Sequence, residues 1–239
     1  MKDLDIGKII RWALVIIAIG LVAAVIIWNA VTPPAAKSIE TWEPEMTYGN
    51  PEAENHFIEY VDMMCPYCTK FHSALQENFD DFQRDYLDTD KIYYELRMAD
   101  MVSRHSENSY RGNIAGYCAA RQPGKFWDFY DSLQIYLDDN YYSKGIGDKK
   151  GAPEIPKWED KVFYDQAEKT GLDTDEFKQC FDNQETAEIL ATNTRKTQAS
   201  MANNNISGVP YFVFNDFKSS GFEGTYKTIT QMFQAAGVL

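Results

Sequence analysis

The sequence predicts an α/β core interrupted by a helical insertion, and two observations carry that expectation. Strand-type segments lie at residues 56–63, at 91–98 and again after 208, each beside a helical pattern. The stretch from about 105 to 202 shows helical periodicity only. Strand, helix, strand, helical block, hairpin, helix is the order of one interrupted domain, not of two independent ones.

Taken in order, His56 to Met63 (His-Phe-Ile-Glu-Tyr-Val-Asp-Met) reads as the first strand. A helical pattern then places Cys68, Phe71, Leu75, Phe79, Phe82 and Tyr86 on one face. From Lys91 to Met98, the residues Ile92, Tyr94, Leu96 and Met98 alternate with more polar neighbours, as a strand does. Phe126, Phe129, Tyr130, Leu133 and Leu137 recur at helical spacing, and a Gly-, Lys- and Pro-rich loop runs from Lys144 to Pro156. Asp173 with Glu176 has the form of a capping box opening a helix with Phe177, Cys180 and Phe181. Ala187, Leu190, Ala191, Thr194 and Met201 carry a further helix. Tyr211–Phe214, a turn at Asn215-Asp216 and Lys218–Phe222 form a hairpin, and Tyr226, Ile229, Phe233 and Ala236 mark the last helix.

The amino terminus suggests a compartment. Trp12 to Trp28 contains no charged side chain, and Ile9, Ile10, Ala30 and Val31 extend the apolar reach to residues 9–31. About 20 apolar residues cross the hydrocarbon core, and tryptophans bracket the run as interface anchors do. The expectation is a retained signal anchor; a cleaved signal peptide is the alternative, although no convincing Ala-x-Ala site follows. Lys2, Lys8 and Arg11 precede the span and acidic residues dominate the near flank beyond it. Residues 1–8 then form a cytoplasmic tail, 32–45, with Pro33-Pro34, a linker, and 46–239 an extracytoplasmic domain on a single-pass anchor in the cell membrane. Disulfides persist in that setting.

Twenty-three Lys and Arg against 36 Asp and Glu leave a net charge of −13, which argues against nucleic acid as a partner because such binding neutralises phosphates. Four cysteines are too few for a disulfide-built miniprotein, so their positions matter.

Cys65-Pro66-Tyr67-Cys68 follows a strand and opens a helix. That spacing sets both sulfurs one turn apart at the helix start, close enough to bond. Pro66 fits the first turn, where its missing N–H costs nothing. Unpaired amides and the positive end of the dipole favour negative charge on the Cys65 sulfur, leaving Cys68 as the more buried resolving thiol. A rival reading is half of a zinc site, but Cys118 and Cys180 stand 62 residues apart and His56, His72 and His105 form no pair, so no metal is expected. Met63-Met64 with Cys65 and His72 leaves a weaker copper-binding reading open. Val209-Pro210 starts a strand expected beside the active-site helix. Glu59 is either a solvent-facing strand residue or, if buried beneath the cysteines, a proton carrier for Cys68.

With these residues in view, the chain resembles the DsbA-like thioredoxin-fold oxidoreductases, particularly the membrane-anchored bacterial group. The resemblance spans about 46–239 and rests on Tyr48–Ala53, Phe57–Asp62, Cys65-Pro-Tyr-Cys68 and Ser207–Asn215 in combination. It implies a thioredoxin fold with a helical insertion, a cis Val209–Pro210 bond facing the redox pair, and Glu59 as the family's buried acid. It implies a redox-active disulfide and no other cofactor. The best-known oxidases carry His where this chain has Tyr67, so Pro66, Tyr67 and Val209 are expected to tune the site. Cys118 and Cys180 read either as two buried thiols or, with cysteines present there in related proteins, as a structural disulfide.

The implied activity is thiol:disulfide exchange that introduces disulfides into exported proteins. The expected partners are folding proteins with free thiols and a quinone-linked membrane reoxidase of DsbB-like or VKOR-like type. A reductase or isomerase using the same site, and a copper- or protein-binding module that has kept the fold, are the alternatives.

Overall fold

The computed structural model describes residues 46–102, 107–220, 222 and 224–238. The expected tail 1–8, span 9–31 and linker 32–45 lie outside the described residues. Among the described residues no helix is long and apolar enough to cross a membrane.

Five strands among these residues form one sheet: β1 (Thr47–Tyr48), β2 (Asn55–Val61), β3 (Ile92–Met98), β4 (Tyr211–Phe214) and β5 (Phe217–Ser220), in the order β1-β3-β2-β4-β5. Only β2 and β3 run parallel; the other neighbours are antiparallel. β2 lies in the middle, with Glu59 between Leu96 of β3 and Phe212 of β4. Its last five residues are buried, as expected for a strand covered on both faces.

Alternation along β2 sends Phe57, Glu59 and Val61 to one face and Ile58 and Tyr60 to the other. On the first face, helices α1 (Pro66–Gln76) and α8 (Tyr226–Ala235) supply the cover. The Phe57 ring lies 4.3 Å from Phe214, 5.2 Å from Phe233 of α8 and 6.2 Å from Phe71 of α1. On the second face the Tyr60 hydroxyl pairs with Ser200 at 3.0 Å, on helix α7 (Gln184–Asn203).

The first helix is shorter than its apolar periodicity suggests. It stops at Gln76, and a short helix α2 (Phe79–Phe82) and a π-turn (Gln83–Leu87) follow. Asn78 explains the break: its side chain donates to the Ala74 carbonyl at 2.9 Å, which competes with continuation of the helix. Phe82 and Tyr86 nonetheless reach the core, so burial agrees with the pattern while the backbone does not. β1 has only two residues, too few for any periodicity, and β5 ends at Ser220, short of Phe222.

Between β3 and β4 lie α3 (Asn108–Ala119), α4 (Phe126–Asn140), α5 (Asp160–Lys169), α6 (Thr174–Asp182) and α7. Asp173 caps α6 by accepting from the Asp175 and Glu176 amides. A disulfide joins Cys118 of α3 to Cys180 of α6. α3 docks closely on the ends of the two parallel strands. A Cβ on Gly112 would come within 2.5 Å of Met63 Cγ, and one on Gly116 within 2.5 Å of Met98 Cε.

Asp62, just past β2, binds this junction together. Its carboxylate accepts from the amides of Met64 (2.8 Å), Met101 (2.6 Å) and Val102 (2.7 Å). Burial pushes its carboxyl above the ordinary range, against the pull of these amides.

Two outcomes follow for stability. Replacing Cys118 and Cys180 together by Ala should cost about 2–4 kcal/mol in denaturant unfolding, because the loop it closes is long. Asp62→Ala should cost roughly 2–4 kcal/mol by the same measurement, since three amides lose their acceptor at once.

Candidate active site

Cys65 is the N-cap residue of α1, with extended φ/ψ, and Pro66 takes the first helical position. The local chain therefore turns from strand to helix on Cys65 itself. Its amide donates to the Asp62 carbonyl at 3.0 Å, and the Thr69 amide closes the first turn on the Cys65 carbonyl at 3.0 Å. No side chain caps this helix end, so the sulfur sits at its positive pole.

Both Cys65 and Cys68 are free thiols. Cys68 is fully buried and Cys65 retains 3% exposure. The tip is thus more covered than an opening helix suggests, because the Val209 carbonyl lies 3.5 Å from Cys65 Sγ. The Val209–Pro210 bond is cis and leads directly into β4. Burial pushes the Cys68 thiol well above its ordinary value, and the Cys65 hydrogen bond and negative charge at Cys65 and Glu59 push the same way. In the reduced pair Cys68 therefore keeps its proton.

The loop before Cys65 is clamped from the insertion. Gln134 of α4 donates to the Met63 carbonyl at 3.3 Å, and Tyr142 donates to the Met64 carbonyl at 2.8 Å. Gln134 also accepts from the Thr69 hydroxyl. Tyr67, by contrast, is 47% exposed with the Lys70 ammonium 5.1 Å from its ring centre.

Glu59 has no exposure at all. Its Oε2 accepts from the Tyr94 hydroxyl at 2.5 Å and pairs with His72 Nε2 at 3.2 Å, while Oε1 is buried without a partner. The Tyr130 hydroxyl, also buried and unpartnered, lies close enough to feel charge at Glu59 and Cys68. Burial first, then Glu59, pushes both phenols well above their ordinary values and keeps them neutral. A solvent-facing Glu59 is thereby excluded.

His72 was a copper candidate in the sequence, but its Nε2 is directed at Glu59 and its ring packs edge-on to Tyr130 at 4.5 Å. Among the described residues no group of three or more His, Cys, Asp or Glu could hold a metal ion. Tyr94, Tyr130, Gln134 and Tyr142 escaped attention as functional residues because each reads as core. His72 had a usable signal, standing four residues after Cys68 on the same helical face.

A Rickettsia conorii protein whose name assigns it provisionally to the protein-disulfide oxidoreductases is 22% identical over 193 residues, covering 79% of this chain and 61% of the relative. The chain spans about half to three fifths of the length of the curated relatives it matches. Among solved structures, oxidised BdbD from Bacillus subtilis superposes with a TM-score of 0.59 at 21% identity, over 80% of this chain and 91% of that one. DsbA from Chlamydia trachomatis gives 0.57 at 18% identity, over 86% and 98%. These likenesses establish a fold shared with DsbA-like proteins. A family model described as thioredoxin matches residues 41–232, and the chain belongs to the thioredoxin family.

Proposed function

We propose that this protein is an extracytoplasmic thiol:disulfide oxidoreductase that introduces disulfide bonds into exported proteins. The observation that carries the reading is the Cys65–Cys68 pair at a helix start, with a buried carboxyl in the strand behind it. The curated relatives, which are named for protein-disulfide oxidoreduction, support the same reaction class.

In the oxidised form a substrate thiolate attacks Cys65 Sγ. The bond between the substrate sulfur and Cys65 forms as the Cys65–Cys68 bond breaks, and its electron pair stays on Cys68. Glu59 gives that sulfur a proton. A second substrate thiolate then attacks the mixed disulfide, and Cys65 leaves at the helix start, where dipole and amides favour its charge. The substrate has lost two electrons and the chain has gained them. The disulfide is itself the electron carrier, so the reaction draws on no other cofactor.

Oxidation rather than reduction, and attachment through residues 9–31, belong to the same reading. The acidic flank and the basic tail of the sequence support export of the domain. Return to the disulfide form then requires a membrane reoxidase, quinone-linked in DsbB-like or VKOR-like fashion.

The full chain should oxidise a dithiol peptide, and Cys65→Ala should abolish this; unchanged turnover in that variant overturns the proposal. Cys68→Ala, offered glutathione disulfide, should accumulate the mixed disulfide on Cys65 with release of one glutathione thiol, detectable by mass. A reduction potential near −120 mV supports an oxidase, and one near −270 mV a reductase. Glu59→Gln should slow the single-turnover rate by roughly 10²-fold, the lower end of what positioned proton transfer contributes. A wild-type rate in that variant would remove Glu59 from the mechanism.

A further inference from the structure

Glu59 does not itself touch bulk solvent: it is fully buried within the central strand. Every reduction of the pair must bring a proton to Cys68 and every reoxidation must remove one. The carrier of that proton beyond Glu59 is therefore an open question that the geometry answers.

His72 bridges outward. Its Nε2 pairs with Glu59 Oε2 at 3.2 Å, and its Nδ1 lies 3.8 Å from Asp131 Oδ1 on α4. Both Nδ1 and Asp131 Oδ1 are buried without a hydrogen-bond partner, and they face each other. An approach of under about 1 Å would bring them into hydrogen-bond range. The other Asp131 oxygen accepts from Gln76, and the Asp131 side chain is 15% exposed, so the chain of groups ends at water.

We infer that His72 and Asp131 form the outer leg of a proton relay that connects Glu59, and through it Cys68, to solvent. This rests on the proposed thiol:disulfide exchange and extends it to residues outside the redox motif. When the pair is reduced, Asp131 passes its proton to His72 Nδ1 while Nε2 releases one to Glu59. Glu59 gives a proton to the Cys68 sulfur, directly or through the Tyr130 hydroxyl. One proton has moved inward, Asp131 is left as carboxylate and takes a proton from water, and the imidazole has changed tautomer. Reoxidation runs the same transfers outward and restores the first tautomer. No net proton is left in the site over a full cycle.

The charges around the relay fit this use. Burial, then nearby Asp128, pushes the Asp131 carboxyl up to about 7, with His72 acting in the opposite sense. Asp131 thus gains and loses its proton near neutrality. Facing the route are Glu59 and Tyr94 from the sheet, Tyr48 from β1, Cys68 and Gln76 from α1, and Asp128 and Tyr130 from α4.

The test uses the full chain in single-turnover oxidation of a dithiol peptide from pH 5 to 9, with Asp131→Asn and His72→Gln. Below pH 7 Asp131→Asn should be about ten-fold slower or more, and the difference should vanish above pH 7, where the wild-type carboxyl is already ionised. His72→Gln, which lacks the bridging ring, should be slow at every pH. Folding is checked separately. Between about pH 4 and 7 the native wild type holds an Asp131 proton that the unfolded chain has released. Asp131 therefore contributes a fall in stability across that window as pH rises, and Asp131→Asn should lose this contribution while staying folded. Wild-type rates in both variants at every pH, or an Asp131→Asn loss that does not vary with pH, overturn the relay. A wild type that exchanges no disulfide overturns the proposed function instead, and the relay with it.

Discussion

An ionisable carboxyl in the middle of a sheet is the constraint on which the rest depends. Burying a carboxylate costs several kcal/mol unless protonation or hydrogen bonding offsets it. At Glu59 the surroundings supply partners for one oxygen only: the Tyr94 hydroxyl and His72 share Oε2. Oε1 has no partner, and neither has the buried Tyr130 hydroxyl, so the polar network around Glu59 is incomplete.

The helical insertion is part of this chemistry, not an appendage. Gln134 and Tyr142 hold the carbonyls of the loop that presents Cys65, and α4 supplies Tyr130 and Asp131 beneath it. The glycines of α3 let the insertion lie directly on the strand ends, where any larger residue would strike Met63 or Met98. The Cys118–Cys180 bond fixes α3 to α6, two elements of that same block. The loop that presents Cys65 thus lies at the junction between sheet and insertion, with Asp62 tying the two strand exits together.

Much of this was legible in the chain. The order of elements followed from alternation and helical spacing, and Cys65-Pro66-Tyr67-Cys68 carried its own position, because a proline at N1 after a strand marks where a helix begins. Failures occurred where local signals were weak or contested. Apolar spacing ran on past Gln76, but Asn78 turned its side chain onto the backbone and ended the helix. Two-residue β1 could not show a period, and its place beside β3 depends on partners far along the chain, Thr47 opposite Glu95 and Tyr48 opposite Tyr94.

The sequence by itself determined the seat of Cys65 and Cys68 at a helix start and the order of strands and helices along the chain, since each depends on neighbours within a few residues. Only the tertiary structure decided that Glu59 is buried, that His72 turns to it, and that Asp131 completes a path to water. Those three come from β2, α1 and α4, and their contact is set by how the elements pack. Burial and the charge state of a carboxyl depend on everything that surrounds it in space, which no short stretch of chain records.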